Sequence, residues 1–178
     1  MNFKRKYKTL RNLVLGCLLF SFASCCDSLL DLNVDPNSPT SVPASNLVTQ
    51  AQFSFFNEMQ SRSLNGEWGM LMVQHWAQNE YAEESRYVVD GNSFDGNWQR
   101  FFASNLNELN VARTLISADD KVVGSVKTNQ LAIIDIMKAI AFQTLAESWG
   151  DVPYSEALSA EFPNPKYDGQ AAIWADLL

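Results

Sequence analysis

Histidine and cysteine are almost missing from this chain. Its 178 residues hold one His and three Cys. A zinc site draws about four ligands from spaced Cys and His. His75 and Cys26 cannot supply them, so no metal is expected. The cysteines fall at 17, 25 and 26, and neighbours such as Cys25 and Cys26 make a poor bridge. No disulfide framework follows. Basic residues are also few, 13 Lys and Arg against 20 Asp and Glu, for a net charge of −7. That balance disfavours nucleic acid and anionic membrane surfaces as partners. No GxSxG, phosphate loop, GxGxxG or HExxH occurs, so the usual nucleophile, nucleotide and metalloprotease motifs are lacking and no cofactor is expected. No apolar run spans a bilayer. Leu13 to Phe22 falls short of the roughly 20 residues required, and Asp135 and Lys138 interrupt the long apolar segment after Asn129.

The N-terminus reads as an address. Lys4, Arg5, Lys6, Lys8 and Arg11 precede the apolar core, and small residues close it. This is the pattern of a secretory signal. Ala23-Ser24-Cys25 resembles the end of a bacterial lipobox, with Phe22 standing where an aliphatic residue is usual. Cys25 would then become a lipid-bearing N-terminus, leaving Cys26 alone beside the membrane. An ordinary secretory signal with incidental cysteines is the alternative. Cleavage before Cys25 leaves 8 basic against 20 acidic residues, a net charge of −12, in about one domain's length.

The expected organisation is a signal over 1–24, a tether over 25–45 and a helical domain over 46–178. Pro36, Pro39 and Pro43 keep the tether extended. Asp31, Asn33, Asp35 and Asn37 alternate like a calcium loop, but Pro36 replaces the turn Gly and Val42 the bidentate Glu. Asx turns are the better reading.

The remainder predicts an all-α fold. Ser45 caps a helix over 46–61, with Val48, Ala51, Phe55 and Met59 on one face. A helix over 67–78 carries Trp68, Leu71, His75 and Trp76 inward, and places His75 in a core or interface. A third runs over 97–117. The fourth, over 129–149, is apolar nearly all round and so central. Trp149, Gly150 and Pro153 stop it, with Gly150 in the left-handed helical conformation. A last helix starts near Asp168, with Trp174 and Leu178 on its apolar side. No C-cap signal follows, so the native protein is expected to continue. Trp68, Trp76, Trp149 and Trp174 are read as mostly core. Residues 79–95 form an irregular loop with room for a short strand.

Function would reside in that loop. Exposed rings stack on the apolar faces of sugars while amides take the hydroxyls. Tyr81, Tyr87, Asn97 and Trp98 are the candidate ligand contacts, with packing as their competing role. Glu83 with Glu84, or Asp90 with Asp95, could form a glycosidase pair only if held at fixed separation with split pKa values. Solvated carboxylates are the simpler reading.

The stretch Glu147-Ser-Trp-Gly-Asp-Val-Pro-Tyr-Ser-Glu-Ala-Leu158 resembles the signature of SusD/RagB nutrient-binding lipoproteins. "DLNVDPNSPT", "VQHWAQNEY" and "NPKYDGQAAIWADLL" resemble further family segments in the same order, those of the SusD-like 2 branch. The resemblance covers the chain and corresponds to the N-terminal third of a family member. It implies TPR-like helical pairs with irregular connecting loops. It also implies a non-enzymatic, lipid-anchored protein on the outer surface of the outer membrane. Its partner would be a SusC-like TonB-dependent transporter, for which it acts as lid, and its ligand an oligosaccharide or peptide. A secreted glycan hydrolase subunit and a purely structural helical adaptor are the rival readings.

Overall fold

The computed structural model describes residues 41–178 and the single residue Asn12. The expected signal, the expected lipidation site Cys25 and nearly all of the expected tether lie outside the described residues. Val42–Leu178 is one compact unit. It is all-α, with five helices and a two-residue strand pair. None of the helices among the described residues is long and apolar enough to cross a membrane.

Helix α1 spans Ala44–Met59. It begins directly after Pro43 rather than at Ser45, because Pro43 has the extended backbone of a helix entry and its carbonyl accepts from Asn46 N at 3.0 Å. Ser45 thus lies inside the first turn, and its own carbonyl accepts from Thr49 Oγ1 at 2.9 Å.

Helix α2, Arg62–Leu71, is π-wound. Ser61 Oγ caps it by accepting from Leu64 N at 3.2 Å. The expected helix over 67–78 therefore starts earlier and ends sooner. Winding with bonds five residues apart breaks the 3.6-residue period on which that reading rested. Beyond Leu71 the chain turns at Gln74, whose φ is +62°. His75 is exposed rather than on an apolar face, and Trp76 is 61% exposed rather than core.

Helix α3 runs from Asp95 to Ala118 as two α-wound pieces, Asp95–Arg100 and Asn107–Ala118, around a π-wound centre, Phe101–Leu106. Helix α4 is Gly124–Trp149 and α5 is Gln170–Leu177. Strands β1, Val152–Pro153, and β2, Tyr167–Asp168, pair antiparallel.

Neighbouring helices pack antiparallel, as short connections favour. Glu58 meets Asn97 while Ala51 meets Asn105, which sets α1 against α3. Lys127 reaches Ser117 and Arg113 reaches Asp135, which sets α3 against α4. Gln170 reaches Ala146, which starts α5 beside the end of α4. One buried cluster joins Phe101, Leu106, Phe142, Leu145, Val152 and Ile173, and a second joins Ala51, Leu109, Ala112, Ile116 and Ile134. Helix α4 contributes to both, as its apolar circumference predicted. Its outer stripe of Ile133, Ile136 and Ile140 is nonetheless exposed.

The α4 stop combines expected and unexpected features. Trp149 is its last residue, and Gly150 N donates to Ala146 O at 3.0 Å. Gly150 has φ +79° but ψ −115°, outside the left-handed helical region and in ground that side chains other than glycine avoid. Space does not forbid a Cβ there, since nothing lies within 4 Å of it. The backbone alone does. Gly150→Ala is expected to lower unfolding free energy by about 1–3 kcal/mol in urea titrations. Gly169→Ala, at φ −66°, should be near neutral. Equal midpoints for Gly150→Ala and wild type would show that the turn tolerates a side chain.

Candidate functional site

The structure distributes the four candidate contacts rather than gathering them. Asn97 is only 2% exposed. Its Nδ2 donates to Glu58 Oε1 at 2.7 Å and Ser61 Oγ at 3.3 Å, and its Oδ1 accepts from Ser63 Oγ at 2.7 Å. Trp98 is half-buried among aromatic rings. Phe102 lies at 4.9 Å, Trp149 at 5.7 Å and Tyr167 at 6.1 Å between centroids, the last nearly parallel at 11°.

Tyr81 and Tyr87 sit in the loop between α2 and α3. Tyr81 is 80% exposed, and both residues have positive φ. A side chain other than Gly or Asn is uncommon there and needs surrounding bonds to hold it. Those bonds are local. Gln78 Oε1 accepts from Ser85 N at 3.1 Å, Gln78 Nε2 donates to Glu84 at 2.7 Å, and Tyr87 OH donates to Met72 O at 3.1 Å. A short 3₁₀ turn, Glu84–Arg86, stands where a strand had been allowed for.

Two clefts result. Tyr81 borders one of about 530 Å³ with Arg62, Glu83, Glu84 and Asp90. Trp98 borders the other, of about 460 Å³, with Pro153, Pro163, Asn164, Pro165 and Tyr167. The first is rich in carboxylates, but two of them, Glu84 and Asp90, serve the loop. The hydrogen bond from Gln78 holds Glu84 below its ordinary range, the opposite of what a general acid needs. Asp90 Oδ1 accepts from Asn92 N and Ser93 Oγ. The second cleft combines two large rings with proline faces and an amide. Tyr167 supplies its most exposed ring, at 64%.

Sequence reading missed Tyr167. The signal was present in two stretches, Val-Pro-Tyr and Lys-Tyr-Asp, which read as a helix stop and a helix start. They pair with each other, Val152 opposite Asp168 and Pro153 opposite Tyr167. The Asp168 carboxylate cements the pair, accepting from Ser155 N at 2.7 Å, Tyr154 N at 3.3 Å and Ser155 Oγ at 2.9 Å. Asp151 Oδ1 accepts from Gln170 N at 2.9 Å, at the start of α5. Gln170 Nε2 donates to Ala146 O at 2.6 Å, at the end of α4. Each helix terminus is thus capped by a residue from the other side of the join.

Residues 36–178 match the SusD-like 2 family model, described as starch-binding associating with outer membrane. The chain belongs to the SusD-like family. No curated protein matches it. Two of the stretches that bear the family likeness in this SusD-like protein, Glu147–Leu158 and the one that holds Tyr167, are joined by the strand pair at the edge of the Trp98–Tyr167 cleft. The family is thus one of binding proteins associated with the outer membrane and with starch.

Two titrations probe the join. Burial, then the hydrogen bond to Asp176, raises Tyr154 from 10.0 to about 12. Its contribution to stability is complete below pH 10 and is lost as pH rises through about 12. The hydrogen bond from Ser155 N is the main cause holding Asp168 below 3.8. Its contribution is present above that value and is lost as pH falls through the folded-state pKa. Phenolate absorbance should show one tyrosine titrating near 12, and Tyr154→Phe should remove it. A Tyr154 that titrates at its ordinary value would contradict this geometry.

Proposed function

We propose that this SusD-like protein is a lipid-anchored surface protein, tethered through Cys25. It captures an oligosaccharide for a SusC-like TonB-dependent transporter, over which it acts as lid. It does no chemistry on the ligand. The observation that carries the reading is the Trp98–Tyr167 cleft in a chain of a family described as starch-binding. Sugar rings are apolar on their C–H faces and polar at their edges. A cleft of aromatic and proline surface with one amide, Asn164, and no charged lining side chain suits such a neutral ligand.

Tyr81 and Tyr87 remain proposed as secondary contacts. Both rings are exposed, and that of Tyr81 lines a cleft with Glu83, Glu84 and Asp90, whose carboxylates can accept from sugar hydroxyls. The glycan hydrolase alternative gains nothing from Glu84, whose shift runs away from an acid's role.

Maltoheptaose is a suitable probe in calorimetric titration. Trp98→Ala and Tyr167→Ala are each expected to weaken binding by about 1–3 kcal/mol, as loss of an aromatic anchor does. Tyr81→Ala and Tyr87→Ala should cost less. The maltoheptaose should be recovered intact, and the protein should co-purify with a large outer-membrane β-barrel. Unchanged affinity in Tyr167→Ala, with wild-type thermal stability, would sink the cleft as the binding site.

A further inference from the structure

Trp98 can serve as a binding surface only if the first turn of α3 is held at one rotation. Apolar contact holds part of that turn, since Phe94 packs against Trp68 at 4.7 Å and Phe101 is buried, but its helix entry is weakly tied. Phe94, at its N-cap, offers no side-chain cap, and the α-wound piece Asp95–Arg100 passes at once into the π-wound segment. Asn97, the residue before Trp98, points the other way, into a buried polar cluster. That cluster draws from three places: Glu58 at the end of α1, Ser61 and Ser63 at the start of α2, and Arg100 one turn further along α3.

Glu58 is 3% exposed, and its charge must be met inside the protein. Arg100 Nη1 donates to Glu58 Oε1 at 3.0 Å, and Asn97 Nδ2 donates to the same oxygen. Asn97 therefore works as donor toward Glu58 and Ser61 and as acceptor from Ser63, using both N–H donors and the carbonyl of its amide at once. Loop residues 72–94 leave from α2 and return to α3, so the same cluster ties both of their anchoring helices.

We propose that Asn97 is a positioning residue. Through Glu58, Ser61 and Ser63 it sets the rotation of α3, and thereby the ring of Trp98 in its cleft, without touching ligand itself. The inference rests on the reading of that cleft as the sugar site.

The test is a rescue. Asn97→Asp turns the donor into a second carboxylate facing Glu58. Glu58→Gln in the same chain restores a donor opposite an acceptor and keeps one carboxylate for Arg100. Maltoheptaose affinity is measured well below each variant's thermal midpoint, and the Trp98 indole N–H resonance is followed without ligand, assigned by its loss in Trp98→Phe. Asn97→Asp is expected to weaken binding by about tenfold, the scale of a buried hydrogen bond lost and its partner left unpaired. It should also displace the Trp98 resonance, and the double variant should return both toward wild type. If Asn97→Asp does not fold, Ser63→Ala removes the bonds to Asn97 Oδ1 and Ser61 Oγ but leaves Asn97 its bond to Glu58, and should shift both readouts in the same direction by less. Wild-type affinity and an unmoved resonance in a folded variant would overturn the proposal. If the wild-type protein binds no maltoheptaose, the reading of the cleft fails. The resonance then decides the positioning role by itself: displacement and rescue support it, and an unmoved signal overturns it.

Discussion

The Asp168 carboxylate holds together the part of the molecule where function is proposed. It accepts hydrogen bonds from two successive backbone N–H groups and one hydroxyl on the far side of a two-residue strand pair. A pair of strands this short has little stability of its own. Charge-assisted bonds to a carboxylate are stronger than neutral ones, and here they fix the register that sets Tyr167 beside Pro153. The same join fixes the end of α4 and the start of α5 through Gln170 and Asp151. One wall of the aromatic cleft is therefore built by polar chemistry, although its surface is apolar.

The other wall depends on burial of a second carboxylate. Glu58 is tolerated in the interior because Arg100 and Asn97 meet it. A charge left alone there would be costly. The two devices share a logic. Each uses an anion with several donors to hold backbone segments that hydrophobic contact alone would leave free to rotate or slip.

Much of the scaffold was legible from apolar spacing. The faces of α1 and of the α-wound second half of α3 follow the 3.6-residue period and α4 shows its apolar circumference, and the all-α class follows from them; the π-wound centre of α3 departs from that period and buries Phe101. The failures have physical causes. Winding with bonds five residues apart in α2 put His75 and Trp76 outside the helix and into solvent. Glycine and proline after Trp149 were read rightly as a stop, but the ψ of Gly150 is set by the strand pair that follows, which two residues cannot announce by alternation. Asn97 and Trp98 were singled out as neighbours, yet successive helical positions face apart, and only tertiary structure tells which one is buried. Tyr167 was hidden within a stretch recognised for its family likeness rather than for its ring.

The most direct test is a crystal of the protein soaked in maltoheptaose. The account expects at least one glucose ring against the Trp98–Tyr167 surface, with Asn164 within reach of a hydroxyl and Asn97 still buried against Glu58. Sugar bound instead at the Arg62–Tyr81 cleft, with the Trp98–Tyr167 cleft empty, would contradict it.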